Sequence, residues 1–323
     1  MRLAVGLAVA AILILSPLGS AQAQTPPGDN RITLVVPIAP GGGVDAIGRL
    51  IAEKLQERLK QPVVVENRVG AGGAVGADSV AKAAPDGRTL LLIESSSTLH
   101  KWLHKNVPFD VIADFAPVSR VATTSLLLFA NPSFPPNNPS EVIAHAKANP
   151  GKVSVGTPGV GTPHHLAALM MNSIGKVDIT HVPYRGTGPS LNDLLGGQIP
   201  MIWAAPIAVM PHVASGKVKV LGTASAQREA ALPQVPTMEQ SGMPGFHLQL
   251  FFGVAAPAKT PAALVERLDR EIKAVTAMPE VRARMAKLGF QDGYAGSATF
   301  RQQLTTEHKR YGEIIRAAGI KPN

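Results

Sequence analysis

Cysteine is missing from all 323 residues, which excludes disulfides, zinc knuckles, iron–sulfur ligation and thiol nucleophiles together. Aromatic residues are scarce, at 4% of the chain. The basic excess, 31 Lys and Arg against 22 Asp and Glu, is spread without a cluster, and with so few rings to stack on bases it argues against nucleic acid. A positive field does suit a small anionic ligand, whose local concentration it raises. The sequence has no G-x-S-x-G elbow, no H-E-x-x-H pair and no G-x-x-x-x-G-K-[ST] loop. A dinucleotide fingerprint fails on spacing, because Val75 stands where the third glycine after Gly70 and Gly72 is required.

Long apolar runs are also missing, with one exception. Arg2, an apolar stretch from Leu3 to Leu15, a break at Pro17 and Gly19, and Ala21-Gln22-Ala23 read as a secretory signal over residues 1–23. The stretch falls short of the ~20 residues that span a bilayer. Removing it leaves 300 residues with 30 basic and 22 acidic side chains, expected in the periplasm.

With 45% hydrophobic residues, the remainder is long enough for about two domains. From Arg31 short β-branched runs alternate with helical patterns, which predicts an α/β fold with largely parallel sheets. Strands are expected over 32–36, 63–66, 89–93, 126–130, 153–156, 179–182, 199–203, 218–222 and 251–255. Helices lie between them, the clearest over 45–60, where Ile47, Leu50, Ile51, Leu55 and Leu59 recur at helical spacing. Others are expected over 74–83, 139–148, 261–277 and 298–318. The chain should cross between lobes twice, near 126–130 and 246–255. Residues 24–125 with 250–323 would then form a discontinuous first domain, residues 126–249 a second one inserted into it, and a cleft would lie between.

One local device recurs: a strand ends in a Gly- and hydroxyl-rich loop and then enters a helix. It occurs at Pro40–Asp45, Gly70–Gly76, Ser95–Thr98, Gly156–Thr162 and Tyr184–Ser190. Ligands of open α/β sheets sit at the carboxyl ends of strands, and helix N-termini there present N–H groups and a favourable dipole to an anion. Asp45 reads equally as a helix-start carboxylate or a ligand contact. His164 and His165 point about 100° apart on a helix and do not suit joint metal ligation. Trp203 reads as core or as cleft wall.

These residues resemble the tripartite tricarboxylate transporter receptors, also called Bug-type periplasmic solute-binding proteins. The likeness is carried by ITLVVPIAPGGGVDAIGRLIAEKL, QPVVVENRVGAGGAVGADSVAKAAPDGRTLL, HAKANPGKVSVGTPGVGTPHHLA, HVPYRGTGPSLNDLLGGQI and LPQVPTMEQSGMPGF. It implies a two-lobed type II (Venus-flytrap) fold that closes on a small carboxylate, a di- or tricarboxylate or an aromatic acid, and docks on membrane subunits of a transporter. A monomer without cofactor, metal or catalytic residues is expected. Pocket contacts would come from Gly41, Gly42, Gly43 and Asp45, from Ser95, Ser96 and Ser97, from Thr157, Gly161, Thr162 and His164, and from Tyr184, Gly186 and Thr187. Trp203, Ala204 and Ala205 complete the set. Many family members carry a polar or acidic residue just after this strand, where Ala204-Ala205-Pro206 stands here, so a ligand amino group would lack its partner. The alternatives are an exported esterase using one of Ser95–Ser97, and a receptor that feeds a sensor.

Export predicts cleavage after Ala23. N-terminal sequencing of protein from its native host should begin at Gln24, whereas membrane-embedded protein that retains Met1 would contradict it.

Overall fold

The computed structural model describes residues 30–320 and Pro322, so the expected signal segment lies outside the described residues. Its strands are β1 (Ile32–Val36), β2 (Val63–Asn67), β3 (Thr89–Glu94), β4 (Phe115–Thr124), β5 (Leu127–Ala130), β6 (Val153–Thr157), β7 (Ile179–Pro183), β8 (Met201–Ala204), β9 (Lys219–Thr223), β10 (Leu250–Pro257) and β11 (Gln291–Gly296). Its helices are α1 (Gly43–Leu59), α2 (Ala74–Ala81), α3 (His100–Leu103), α4 (Pro139–Ala148), α5 (Pro163–Gly175), α6 (Thr187–Leu195), α7 (Pro206–Ala214), α8 (Ala262–Thr276), α9 (Pro279–Lys287) and α10 (Ser297–Ala317). Among the described residues no helix is long and apolar enough to cross a membrane.

The strands form two sheets, ordered β11-β4-β10-β3-β1-β2 and β7-β6-β8-β5-β9, one in each lobe. Both are mixed, which corrects the expectation of largely parallel sheets. β1 runs parallel to β2 and β3, and β6 to β7 and β8, while β4, β5, β9, β10 and β11 pair antiparallel. The reversed strands are β10 and β11 in the first sheet and β5 in the second, and every other strand of each sheet runs in the direction of its βα units.

Period-two alternation sorts each strand's side chains between two helical layers. Leu34, Leu90, Leu92 and Val254 face the core under α1 and α8, while Val35, Leu91, Ile93 and Phe251 face the core shared with α2 and α10. In the second sheet Leu128, Met201 and Trp203 face α5, and Leu127, Phe129, Ile202 and Ala204 face the layer that holds Leu191, Leu194 and Val209. The helix α10 serves both lobes: Phe300 and Leu304 enter the first sheet's core, Tyr311 and Ile315 the core under α5.

Gly312 lets α10 come down on an indole. A Cβ there would stand 2.4 Å from Cε2 of Trp102, whose Nε1 donates to the His308 carbonyl at 2.9 Å. Gly312→Ala gains about 1 kcal/mol of helix propensity but forces this overlap, and overpacking costs about 1–3 kcal/mol. The variant should therefore melt a few degrees lower in a thermal scan. A melting temperature at or above that of the wild type would mean the indole swings clear.

Candidate functional site

The loops singled out by sequence lie at the carboxyl ends of β1, β2, β3, β6 and β7, and the Ala204-Ala205 step lies at that of β8. The lobes touch at two places beside them. A Cβ on Gly161 would lie 3.2 Å from His104 Nε2, and one on Gly289 would lie 2.9 Å from Ile207 Cβ. Gly43 abuts Phe290, and His100 Nε2 meets the Gly72 carbonyl at 2.9 Å. The cleft is thus bounded on one flank by the starts of α1 and α7 with residues 289–290, and on the other by Gly72, His100, His104 and Gly161. A cavity of about 120 Å³ lined by Thr124, Ser125, Pro206, Met210 and Gly289 sits where β4 passes into β5.

Many of the expected ligand contacts are committed within the protein. Asp45 is buried, with its carboxylate accepting from the Gly41 amide at 3.0 Å, Arg49 Nε at 2.8 Å and Asn67 Nδ2 at 2.9 Å. It is a loop brace, and the Gly41 amide turns toward it. The Ser95 hydroxyl accepts from the Phe251 amide at 2.7 Å and clamps β3 to β10, and Ser96 donates to Glu94 at 2.6 Å. Thr157 is fully buried with its hydroxyl 2.6 Å from His181 Nε2, and Gly161 donates its amide toward His165 Nδ1 at 3.4 Å. Thr162 caps α5 by accepting from the His165 amide at 3.2 Å while donating to the Gly159 carbonyl at 2.8 Å. Tyr184 donates to Asp193 at 2.7 Å, and the Gly186 amide donates to the Pro158 carbonyl at 2.9 Å. Trp203 is core: fully buried, it donates to Met171 Sδ at 3.2 Å and stacks on Phe246. Ala204 is buried too, on the opposite face of β8. All of these side chains shape loops or fill the core.

What remains for a ligand is mainly backbone. The helices α1, α6 and α7 start at Gly42, Gly186 and Ala205 with no capping side chain, so no side chain claims the first amides after Gly42 and Gly186, from Gly43 and Thr187 onward. In α7 the first residue is Pro206, which has no N–H, so its first donor is Ile207. Several buried polar atoms also have no partner, among them Ser125 Oγ, in the cavity it shares with Pro206, His100 Nδ1 and both ring nitrogens of His164. Buried polar groups are almost always hydrogen-bonded, so each of these exceptions calls for a partner from outside the chain.

A larger cavity of about 570 Å³ adjoins the one at Pro206, sharing Glu229 and Gln291 with it and lined also by His247, Glu307 and Tyr311. It is unsuited to an anion. Its arginines, Arg228 and Arg310, donate to the Pro233 and Gly245 carbonyls, and burial pushes Glu307 up to about 7.

Residues 47–320 match the family described as tripartite tricarboxylate transporter family receptor. The chain belongs to this family. Protein BugT of Bordetella pertussis is 35% identical over 319 residues, covering 98% of this chain and 97% of that protein. Two solved structures are similar over nearly the whole fold. An R. palustris protein with adipate has a TM-score of 0.79 at 29% identity, covering 91% of this chain and 98% of that one. MatC from Rhodopseudomonas palustris with bound malate has a TM-score of 0.75 at 32% identity, covering 88% and 98%. The two-lobed periplasmic-binding-protein fold expected from the sequence is the fold observed.

In this receptor two contributors escaped sequence reasoning. Ser125 sits at the lobe crossing within Thr123-Thr124-Ser125, a hydroxyl run that interrupts two apolar strands and was the available signal. Phe290 follows Gly289 after α9, and nothing local in the sequence announces that it reaches Gly43.

Asp45 gives a pH test. The Arg49 hydrogen bond above all, with those from Gly41 and Asn67, pulls its carboxyl down to about 2. A depressed carboxyl stabilises the fold above its unfolded pKa of about 4 and loses that contribution as pH falls toward the folded value. Arg49 is half exposed, so solvent screens its share. Asp45→Asn should therefore be about 1 kcal/mol less stable than wild type at pH 7. Denaturant unfolding from pH 7 to pH 2 should show that gap closing; a gap independent of pH would rule out the brace.

Proposed function

We propose that this chain is a periplasmic receptor that captures a small carboxylic acid between its lobes and presents it to the membrane subunits of a tripartite transporter. The observation that carries this reading is the set of uncapped helix starts at Gly42, Gly186 and Ala205, at the ends of β1, β7 and β8. Each such terminus stabilises a negative group by about 0.3–1 kcal/mol when exposed and up to about 2 kcal/mol when partly buried. Adipate and malate with two similar receptors agree with a carboxylate ligand. Receptors of this kind work in the periplasm, which suits the expected removal of residues 1–23. The chain crosses between the sheets at Thr124–Leu127 and again before Leu250, which supports lobes of 24–125 with 250–323 and of 126–249. A ligand that bridges both lobes binds the closed state better than the open one and so drives closure. The Ser95 and Ser96 hydroxyls, tied to Phe251 and Glu94, serve structure rather than attack on an ester.

Ala205 begins α7 with a methyl group where an acidic side chain could have met a ligand ammonium. A buried ammonium without a partner loses its hydration at a cost of several kcal/mol. Acids without an amino group should therefore bind at least about tenfold more tightly than matched amino acids, a difference of about 1.4 kcal/mol. Calorimetry with succinate and aspartate measures this, with mass spectrometry confirming that ligand returns unchanged. Ala205→Asp should narrow or invert the preference. Tighter binding of aspartate by the unaltered protein would place an amine partner elsewhere, and conversion of ligand would make the protein an enzyme.

A further inference from the structure

His164 is the one large polar side chain at the start of α5 that no contact inside the protein explains. Its neighbour His165 stacks on His181 with ring centroids 4.2 Å apart and receives the Gly161 amide. By contrast, both ring nitrogens of His164 are shut off from solvent without a hydrogen bond. A neutral imidazole has one N–H donor and one lone pair, so two opposite requirements are left open.

Helical spacing says where the ring stands. His164, Ala168 and Met171 share a stripe of α5, and Met171 receives Trp203 Nε1 from β8. β6 and β8 are parallel, and α5 follows β6, so α5 runs back against the direction of β8. From Met171 to His164 is about 10 Å of helix rise, which is about three residues of strand. Three residues past Trp203 is Pro206. Alternation along β8 puts Met201 and Trp203 on the α5 face and Ala204 on the other, and Ala205, still extended at φ −71° and ψ 148°, continues the face of Trp203. The start of α5, and His164 with it, therefore lies toward the carboxyl end of β8, the end at which α7 begins.

We propose that His164 recognises the second carboxylate of a dicarboxylic acid, becoming imidazolium as that carboxylate arrives; this rests on the carboxylate-receptor reading. The balance is simple: an N–H bond forms at the bare ring nitrogen, the proton comes from the buffer acid, and the carboxylate stays an anion that accepts from one ring N–H. A monocarboxylate leaves the ring neutral and unpartnered. In the free protein burial alone holds His164 down at about 4. Pairing raises that value, so binding takes up a proton between about pH 4 and the raised value, and affinity falls as pH rises through that window. Other titratable groups face this region. His165 and His181 lie on α5 and β7 and are both lowered by burial, and His104 adjoins Gly161. Glu94 is raised by burial at the end of β3. From α10, burial pushes Glu307 up to about 7 and raises Tyr311, His308 meets the Thr98 carbonyl, and Arg316 lies over Trp102. The strands β6 and β8 carry no titratable side chain. Comparison with a His164 variant separates its proton from theirs.

The test is calorimetry of succinate, malate and adipate against butyrate and hexanoate, at pH 6 and pH 8, in two buffers of different ionisation enthalpy. Wild type should take up close to one proton per diacid at pH 6 and almost none per monoacid. His164→Gln should abolish the uptake and cut the diacid-to-monoacid affinity ratio at least about tenfold, with monoacid affinity changed less than about threefold. Should that variant not fold, histidine-labelled wild type gives the same answer by NMR, as one ring passing to imidazolium on addition of adipate but not hexanoate. Uptake that persists in His164→Gln, or an unchanged affinity ratio, overturns the assignment. Binding of monoacids without diacids overturns it too and leaves the carboxylate reading standing, whereas no binding of any acid removes both.

Discussion

The Asp45 carboxylate joins three pieces of the first lobe, and the loop between β1 and α1 is organised around that junction. One oxygen takes the Gly41 amide and Arg49, the other takes Asn67 at the end of β2, and Asn67 also donates to the Ile38 carbonyl. A glycine loop left to itself samples many conformations, and ordering each residue costs about 1–2 kcal/mol. With the loop braced before the ligand arrives, that cost falls on folding instead of on binding. The brace acts on the loop itself, since the Gly41 amide is spent on Asp45 and the start of α1 is left uncapped.

The second lobe meets the same requirement with different chemistry. There a stacked histidine pair, a threonine cap and a tyrosine–aspartate bond hold residues 157–162 and 184–187. Hydroxyls and rings that invite a functional reading in the sequence are largely the fixings of the site. What they leave free at the starts of α1 and α6 is main chain, and main chain has no letter in the sequence.

That division explains what could be read in advance. All nine expected strands occur within one or two residues of their expected positions, because apolar alternation records the core directly. β4 was missed because Pro117 argues against a central strand. The structure tolerates it because β11 pairs only as far as Ser119, so no neighbour on that side needs the missing N–H. β11 was missed because Gly293 and Asp292 read as loop; its pairing shifts register between Asp292 and Ala295, and a Cβ on Gly293 would meet Thr123 N at 2.8 Å. At the site, the loops were legible as loops, but whether a hydroxyl faces ligand or backbone depends on partners far along the chain, such as Phe251 for Ser95.

The long helix α10 sets the terms on which this molecule comes apart. Its first half completes one lobe's core and its second half the other's, with Phe300 and Leu304 on one side and Tyr311 and Ile315 on the other. Neither lobe can lose its structure without stripping apolar contacts from a helix that the other still holds. Lobes joined only by two crossing strands would be free to melt in separate steps. With the helix shared, loss of one lobe strips the other of part of its support, so denaturation should run as a single cooperative event. Separating the lobes by cutting the chain at the two crossings would leave the first with the second half of α10 uncovered and the second with a gap where Tyr311 and Ile315 had packed.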